Sequence, residues 1–356
     1  MSSTPQIEPD AEVIRAVAAE LLKGEVVALE RIGGGRNSRV FRLEDTLSRS
    51  YALKLYYRDD TDPRDRLGTE FAASEFLWQR GLRQVPQPIA ADPKRGCAIY
   101  EFVEGERFSA NQVAAGDIDA AAELICALKS LRAHPESQKF GPASEASFSI
   151  NGIVENVRQR QRRLCGAQTT PAALSALNSF LSGEFAPAFG KIQQWSLAHI
   201  QPAQIRNDQE IPVSERTLSP SDFGFHNALR RRGGQIVFLD FEYFGWDDPA
   251  KLVSDFLLHP AMEISTELKR RLASRVLDGF AENRQLKPRI EAVYPLFGLK
   301  WCLIILNEFL PADLQRREFA QGAELDREEV QMKQLEKARR MLGRLQDEYE
   351  RFPYFE

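Results

Sequence analysis

The sequence predicts an α+β chain, a small antiparallel sheet followed by a larger, mostly helical region. Three observations carry that expectation. Short runs rich in β-branched and aromatic residues crowd the first hundred positions. From about residue 104 onward, apolar residues recur mostly at three-to-four spacing. The composition, 43% apolar and 28% charged, is that of a folded protein and excludes a disordered chain. A net charge of -4 offers no basic field for nucleic acid. Cys97, Cys126, Cys165 and Cys302 form no CxxC pair and read as reduced thiols.

The elements follow in order. Val13, Ile14, Val17, Ala18, Leu21 and Leu22 mark an amphipathic helix between Pro9 and Lys23. Val26 to Ile32, Ser38 to Leu43 and Ser50 to Tyr57 form a three-stranded meander, separated by Gly33-Gly34-Gly35 and by Asp45 to Arg49. Thr69 to Arg80 is a helix ending at Gly81, and Gln87 to Ala91 with Cys97 to Val103 form a hairpin. Helices are then expected at Ile118 to Ala133, Gly152 to Leu164, Ala172 to Ser196 (broken near Pro187), Pro249 to Leu258, Thr266 to Glu282, Arg289 to Phe309 and Asp326 to Arg351. One strand-bearing island, Leu218 to Trp246, interrupts them with Ala228 to Arg231 and Gln235 to Leu239 around Gly233-Gly234. The expected division is 1–103 and 104–356. The most apolar stretch, Trp301 to Leu306, runs into Asn307 and Glu308, short of the roughly 20 residues a bilayer requires. No export signal opens the chain. A cytoplasmic protein without a membrane partner is the expectation.

Chemistry concentrates in three places. Gly33-Gly34-Gly35, ahead of Ser38 and Val40 and between two strands, lets the backbone approach a ligand and turn its N–H groups toward phosphate oxygens. It is no Walker A loop, and by itself it is also an ordinary turn. Lys54 shares one face of its strand with Ala52. Flanked by Leu53 and Leu55, it needs a counter-charge or a cleft unless it guards an edge. Glu70, sixteen residues on, opens the helix that could supply that charge. Asp222-Phe223-Gly224-Phe225-His226-Asn227 then sets two oxygen-bearing groups in one loop, and Ile236 to Leu239 delivers Asp240 at a strand end. Asn227 and Asp240 are hard oxygen ligands that suit Mg²⁺.

In this order the residues resemble the kinase-like phosphotransferases, specifically the aminoglycoside phosphotransferase and choline kinase family. Gly33 to Val40 is similar to G-x-G-x-x-G-x-V with Ser38 at the third glycine, and Asp222 to Asn227 to the D-x-x-x-x-N loop. Asp240-Phe241-Glu242-Tyr243 resembles the family's IDFEY, and Gly245-Trp246-Asp247-Asp248-Pro249-Ala250 its GWGDPA. The likeness runs from Glu30 to Leu258. It departs at Pro220, where the family usually has a histidine, and at Leu252, where it often has an aspartate that Asp255 could replace. No A-P-E segment follows Asp240, which speaks against a protein substrate.

The resemblance implies a bilobal, protein-kinase-like fold and transfer of the γ-phosphoryl of ATP, with GTP as the alternative, to a hydroxyl of a small molecule. The acceptor class is an amino alcohol, a sugar or an aminoglycoside-like compound. Lys54 would hold the α/β-phosphates, Glu70 would hold Lys54, and Gly33, Gly34 and Gly35 would cover the phosphates. Glu101 and Val103 would bond the base through their backbone, with Val40 and Ala52 against its ring. Asn227 and Asp240 would bind Mg²⁺, and Asp222 would orient the hydroxyl and accept its proton. An inactive kinase-like nucleotide-binding protein and a protein kinase are the competing readings. The first needs a missing acid or lysine, and Lys54, Glu70, Asp222, Asn227 and Asp240 are all present. Glu242, Trp246 and Asp247 are candidate contacts to a cationic acceptor, against the alternative that the aromatics pack and Asp248 caps the helix at Pro249. Trp301, Asn307 and Glu308 either floor the acceptor pocket or belong to core and helix end, and His226 either reaches a phosphate or bonds within its loop. The charged helix near the C-terminus packs back or joins two copies, so monomer and homodimer both stay open.

Overall fold

The computed structural model describes residues 10–34, 37–58, 64–109, 112–314 and 326–355. They divide into two units, one of residues 10–106 with 229–242 and the other of the remainder. In the first, five antiparallel strands, β1 (Val26–Gly34), β2 (Ser38–Asp45), β3 (Ser50–Tyr56), β4 (Pro88–Asp92) and β5 (Cys97–Glu101), stand in the order β1-β2-β3-β5-β4. The period-two pattern sorts their side chains onto two faces. Phe41, Leu43, Leu53 and Ile99 pack with Ile14 and Ala18 of α1 (Ala11–Leu22). Tyr56, Ala98 and Tyr100 pack with Leu67 and Phe71 of α2 (Arg66–Gln79). Asp10 caps α1, and Asp65 caps α2 by accepting from the Gly68 N–H at 2.9 Å. That α2 lies on the Lys54 face is what matters for chemistry. The meander and hairpin stand within a few residues of the expected bounds, while Gly35 lies outside the described residues.

Chain beyond residue 228 returns to this unit. β8 (Ala228–Arg230) and β9 (Ile236–Phe238) form a ladder with the two-residue β6 (Glu106–Arg107). The Phe238 N–H donates to the Gln84 carbonyl at 2.8 Å, and Arg231 pairs with Glu101. Asp240 follows directly.

The second unit is built on α3 (Ala115–Leu131), α4 (Ile150–Cys165), α5 (Pro171–Ser179), α6 (Ala186–His199), α7 (Pro249–Leu258), α8 (Thr266–Gly279), α9 (Leu286–Ile305) and α10 (Arg327–Glu348). The break expected near Pro187 is a π-helical turn at Phe180–Phe185 that runs without interruption from α5 into α6; Pro187, two residues beyond it, has no N–H to give to the preceding turn, an irregularity that such a turn accommodates. α9 is the hub, touching α4, α6, α7 and α10. With its 3-10 extension it runs from Leu286 to Phe309, 24 residues that contain an 18-residue window of mean hydropathy 1.4. This corrects the expectation that no stretch reaches membrane-spanning length: the sequence breaks its apolar runs with Arg289, Glu291 and Lys300, which the fold absorbs. In this structure 83% of that window is buried against the neighbouring helices. The stripe of α10 packs back onto α9, with Leu335, Ala338, Leu342 and Leu345 buried.

A short ladder positions the Asp222 loop. β7 (Thr217–Ser219) pairs with β10 (Gly245–Asp247), and β10 also bonds the segment at 141–143. Gly245 is required there: a Cβ would stand 2.4 Å from the Gly141 carbonyl oxygen.

Candidate active site

Lys54 stands opposite Val40 on β2 and Ala98 on β5. Its Nζ donates to Glu70 Oε2 and to Asp240 Oδ1, both at 2.6 Å. Tyr56, two residues along the same face, donates its hydroxyl to Glu70 Oε2 at 2.7 Å and bonds the Tyr100 hydroxyl at 2.9 Å. Glu242 completes the cluster, accepting from Asn37 Nδ2 at 2.6 Å. Burial would lower the Lys54 pKa, but the charges of Asp240, Glu70 and Glu242 hold the ammonium protonated well above its ordinary range. Burial pushes Glu70 up against the opposing pull of Lys54. Burial and then the charge of Asp240 push Glu242 up to about 7. One ammonium thus serves three acids, an arrangement ready for more positive charge. Asp240 holds φ 67, a left-handed conformation that costs a non-glycine residue roughly 1–2 kcal/mol.

Asp222 is held differently. Its Oδ1 lies 3.1 Å from His226 Nε2 and 3.5 Å from His259 Nε2. The two imidazoles stack at 3.7 Å between centroids with 5° between planes. Asn227 Nδ2 donates to the Asp222 carbonyl at 3.1 Å and to Oδ2 at 3.3 Å. Burial would raise the Asp222 pKa, yet the hydrogen bonds from His226 and His259 outweigh it and keep the carboxyl ionised far below the usual range. Burial lowers the His259 pKa against the opposing hydrogen bond to Asp222, and the Nε2–H donor is assigned from that bond. These three side chains are close enough to be weighed as a metal cage. The cofacial rings argue otherwise, because an ion on an imidazole lone pair lies in the ring plane, and parallel stacked planes share no such point. They form a hydrogen-bond clamp. Ser221, also at φ 67, is pinned by donating to the Ser144 carbonyl at 2.8 Å and accepting from Lys251 Nζ at 3.2 Å.

Behind that loop lies a buried ionic row. Lys251 Nζ meets Asp247 Oδ2 at 2.7 Å and Asp255 Oδ2 at 3.1 Å, with both Lys251 and Asp247 fully buried. Trp246 is buried too, its indole N–H donating to the Ser137 carbonyl at 3.2 Å. The expected acidic and aromatic contacts to a cationic acceptor are therefore not presented by Trp246 and Asp247, which are spent on packing and on Lys251. Glu242, with Lys54 and Asn37, is likewise buried. Asp248 caps α7 by accepting from the Ala250 N–H at 2.8 Å and also holds Arg289. Asp255 takes the Trp301 indole N–H at 2.8 Å, so Trp301 neither floors a pocket freely nor sits wholly in the core. His226 bonds within its own loop, to Asp222.

The remaining residues have plainer settings. Val40 and Ala52 are half-buried on the Lys54 face of the sheet, and Val103 is buried. The Glu101 N–H is taken by the Gln87 carbonyl at 2.8 Å, so any nucleotide bond at Glu101 would use its carbonyl. Gly33 has φ 149, and a Cβ there would meet nothing within 4 Å, while Gly34 ends β1 opposite Arg39. Sequence reasoning missed His259 and Lys251. A signal existed: Asp247, Lys251, Asp255 and His259 recur every fourth residue from the end of β10 through α7 to its C-cap, a polar line along a mostly apolar stretch.

Comparison with known proteins follows the same line. The fold resembles a spectinomycin phosphotransferase solved with ADP and spectinomycin, at 12% identity and TM-score 0.62 over 92% of this chain and 99% of the other. It also resembles an ethanolamine kinase of Plasmodium vivax, at 16% identity and TM-score 0.59 over 94% and 90%. A choline kinase of Streptococcus pneumoniae aligns at 15% identity and TM-score 0.58 over 94% and 98%. No curated protein sequence matches the chain significantly. At such identities the likeness is one of fold. Residues 28–292 match the phosphotransferase enzyme family that includes the aminoglycoside phosphotransferases, and the chain belongs to that family.

Proposed function

We propose that the chain is a small-molecule kinase that moves the γ-phosphoryl group of ATP to a hydroxyl. The observation that carries this reading is Lys54 bonded at 2.6 Å to both Glu70 and Asp240. An ammonium kept charged among surplus carboxylates is suited to phosphate oxygens arriving with a divalent cation. The donor set fits Mg²⁺: Asp240 offers a carboxylate, and Asn227, whose Nδ2 is turned to Asp222, keeps its amide oxygen for a ligand. When bound, the ion supplies positive charge to the phosphate oxygens.

The chain's own residues do the rest. Lys54 neutralises charge on the phosphates, Glu70 and Tyr56 hold Lys54 in place, and the backbone around Gly33 covers the phosphates. Asp222, with Oδ1 occupied by the imidazoles, turns Oδ2 to the acceptor hydroxyl. The bond from the γ-phosphorus to the ADP oxygen breaks, the bond to the acceptor oxygen forms, and the hydroxyl proton passes to Asp222. A carboxylate held so far below its usual range is a weak base, which suits a loose transition state in which the proton leaves late. The structural relatives support a nucleotide donor and a small acceptor: one is an ADP and spectinomycin complex, others are named ethanolamine kinase and choline kinase.

The test is ADP release from Mg-ATP across amino alcohols, sugars and aminoglycosides. At least one acceptor is expected to raise turnover tenfold or more over the acceptor-free rate. Failure of the protein to bind Mg-nucleotide at all would overturn the reading.

A further inference from the structure

Asn37 follows the glycines that join β1 to β2 and is 8% exposed. An asparagine in a turn usually faces water and bonds its own backbone. This one is spent inward. Its Nδ2 donates to Glu242 Oε1 at 2.6 Å, across 205 positions of chain, and its carbonyl accepts the Tyr57 N–H at 2.7 Å. The second bond carries the β2–β3 ladder one residue past the Ser38–Tyr56 pair. The limb of the turn that enters β2 is therefore anchored twice, by main chain to the end of β3 and by side chain to the segment that carries Asp240.

Glu242 depends on that bond. It is 4% exposed, its Oε2 is buried without a hydrogen bond, and among the described residues Asn37 is its one side-chain donor. A buried carboxylate stripped of donors is costly. A carboxylate oxygen of Glu242 lies within 4.8 Å of one from Glu70 and one from Asp240. Lys54 Nζ nevertheless bonds Glu70 and Asp240 and not Glu242. Two apolar side chains would hold a turn to a neighbouring segment with no desolvation cost, so a polar pair at this point fixes direction rather than adding bulk stability.

We propose that Asn37 is a positioning residue for the nucleotide phosphates: through Glu242 it fixes the glycine turn relative to Asp240 and Lys54, and it keeps Glu242 off the ammonium that the phosphates use. This rests on the phosphotransferase reading, in which the turn covers the phosphates, and adds to it a residue that acts only through another. A turn fixed beforehand spends little binding energy on being ordered when the phosphates arrive. The far end of the nucleotide, at Glu101 and Val103, does not depend on the tie.

Adenosine and Mg-ADP, titrated by calorimetry, separate the two ends of that ligand. Asn37→Ala should weaken Mg-ADP about tenfold or more, the scale of one hydrogen bond to a charged group, and leave adenosine within about twofold of the wild type. Asn37→Asp sets a second carboxylate against Glu242 and should cost more. Adding Glu242→Gln to Asn37→Asp restores the bond with donor and acceptor exchanged, and should recover most of the Mg-ADP affinity that Asn37→Asp loses. A loss shared equally by adenosine and Mg-ADP marks Asn37 as a residue of the general fold and overturns the assignment. So does an unchanged affinity for Mg-ADP in Asn37→Ala, or a double variant that binds Mg-ADP no better than Asn37→Asp. Where Asn37→Ala does not fold, the double variant decides: recovery of both ligands supports the tie, and recovery of adenosine alone overturns it. A wild type that binds neither ligand sinks the phosphotransferase reading itself, whereas one that binds both, with Asn37→Ala indistinguishable from it, sinks only the role of Asn37.

Discussion

The Lys54 and Asp222 clusters both hold ionised carboxylates, by opposite means. Around Lys54, three acids share one ammonium, and burial pushes Glu70 and Glu242 toward protonation. Around Asp222, one acid receives hydrogen bonds from two imidazoles and has no Lys or Arg in contact among the described residues. The first cluster has surplus negative charge and gains from an incoming cation. The second is complete, with its acid fixed in ionisation and orientation. A metal-linked nucleotide suits the one, and a neutral hydroxyl suits the other.

The contrast can be broken by substitution. The largest effect should come from Asp222→Ala, which removes the proposed proton acceptor. Transfer should fall by about 10²–10⁴-fold, with Mg-nucleotide affinity within about twofold of the parent; parental turnover would refute the role of the base. Lys54→Met should come next. It strands buried acids, so chemical denaturation should show a loss of about 3–5 kcal/mol together with lost nucleotide binding. His259→Phe keeps a ring against His226 but removes one donor to Asp222. A kcat about tenfold lower with little change in KM is expected, and His259→Gln should recover part of it; a change confined to KM would assign His259 to acceptor binding.

The smallest effect, in pH dependence, sharpens the difference most. Glu242 has a folded pKa of about 7 against an ordinary 4.5. Between those values the folded state binds more protons than the unfolded state, so this group's contribution to stability falls as pH rises from about 4.5 to 7. Glu242→Gln should cancel that trend, by on the order of 1–3 kcal/mol at pH 8. Asp222 works the other way. Its folded pKa is depressed, so its contribution is present above its unfolded pKa and is lost as pH falls through the acid range. Asp222→Asn should therefore reduce the acid sensitivity that Glu242→Gln leaves in place. Urea midpoints from pH 4 to 8 read the Glu242 trend, and midpoints from pH 5 down to 2 read that of Asp222.

How much of this was legible in the sequence follows from the range of each interaction. The Lys54–Glu70 pair was legible because one strand and the next helix join the two residues over a fixed interval. The strands of the meander and the helix at Pro249 to Leu258 were legible from their periodicity and the Asp-Pro cap. Strands of two or three residues such as β6, β7 and β10 leave no periodic trace, since they exist through their partners. Trp246 and Asp247 look like surface contacts in sequence because an acid beside an aromatic is ambiguous. Only the arrival of Lys251 from one turn later decides that the pair is interior. The clamp on Asp222 was half legible: the four-residue polar line singles out His259, but His259 lies 37 positions downstream of Asp222, and nothing local tells which acid it meets.

The chain order of the first unit bears on biogenesis. Its β-sheet is encoded before residue 102, yet its second acidic partner for Lys54 is Asp240, on a segment that returns after more than a hundred residues of the other unit. At about 5–20 residues per second of synthesis, the ribosome exposes that sheet for on the order of ten seconds before Asp240 emerges. During that interval Lys54 has Glu70 alone, and the Gln84 carbonyl waits for the Phe238 N–H. A nascent chain stalled before residue 240 would therefore present the sheet without its closing segment, a form for chaperones to shield and for proteases to find.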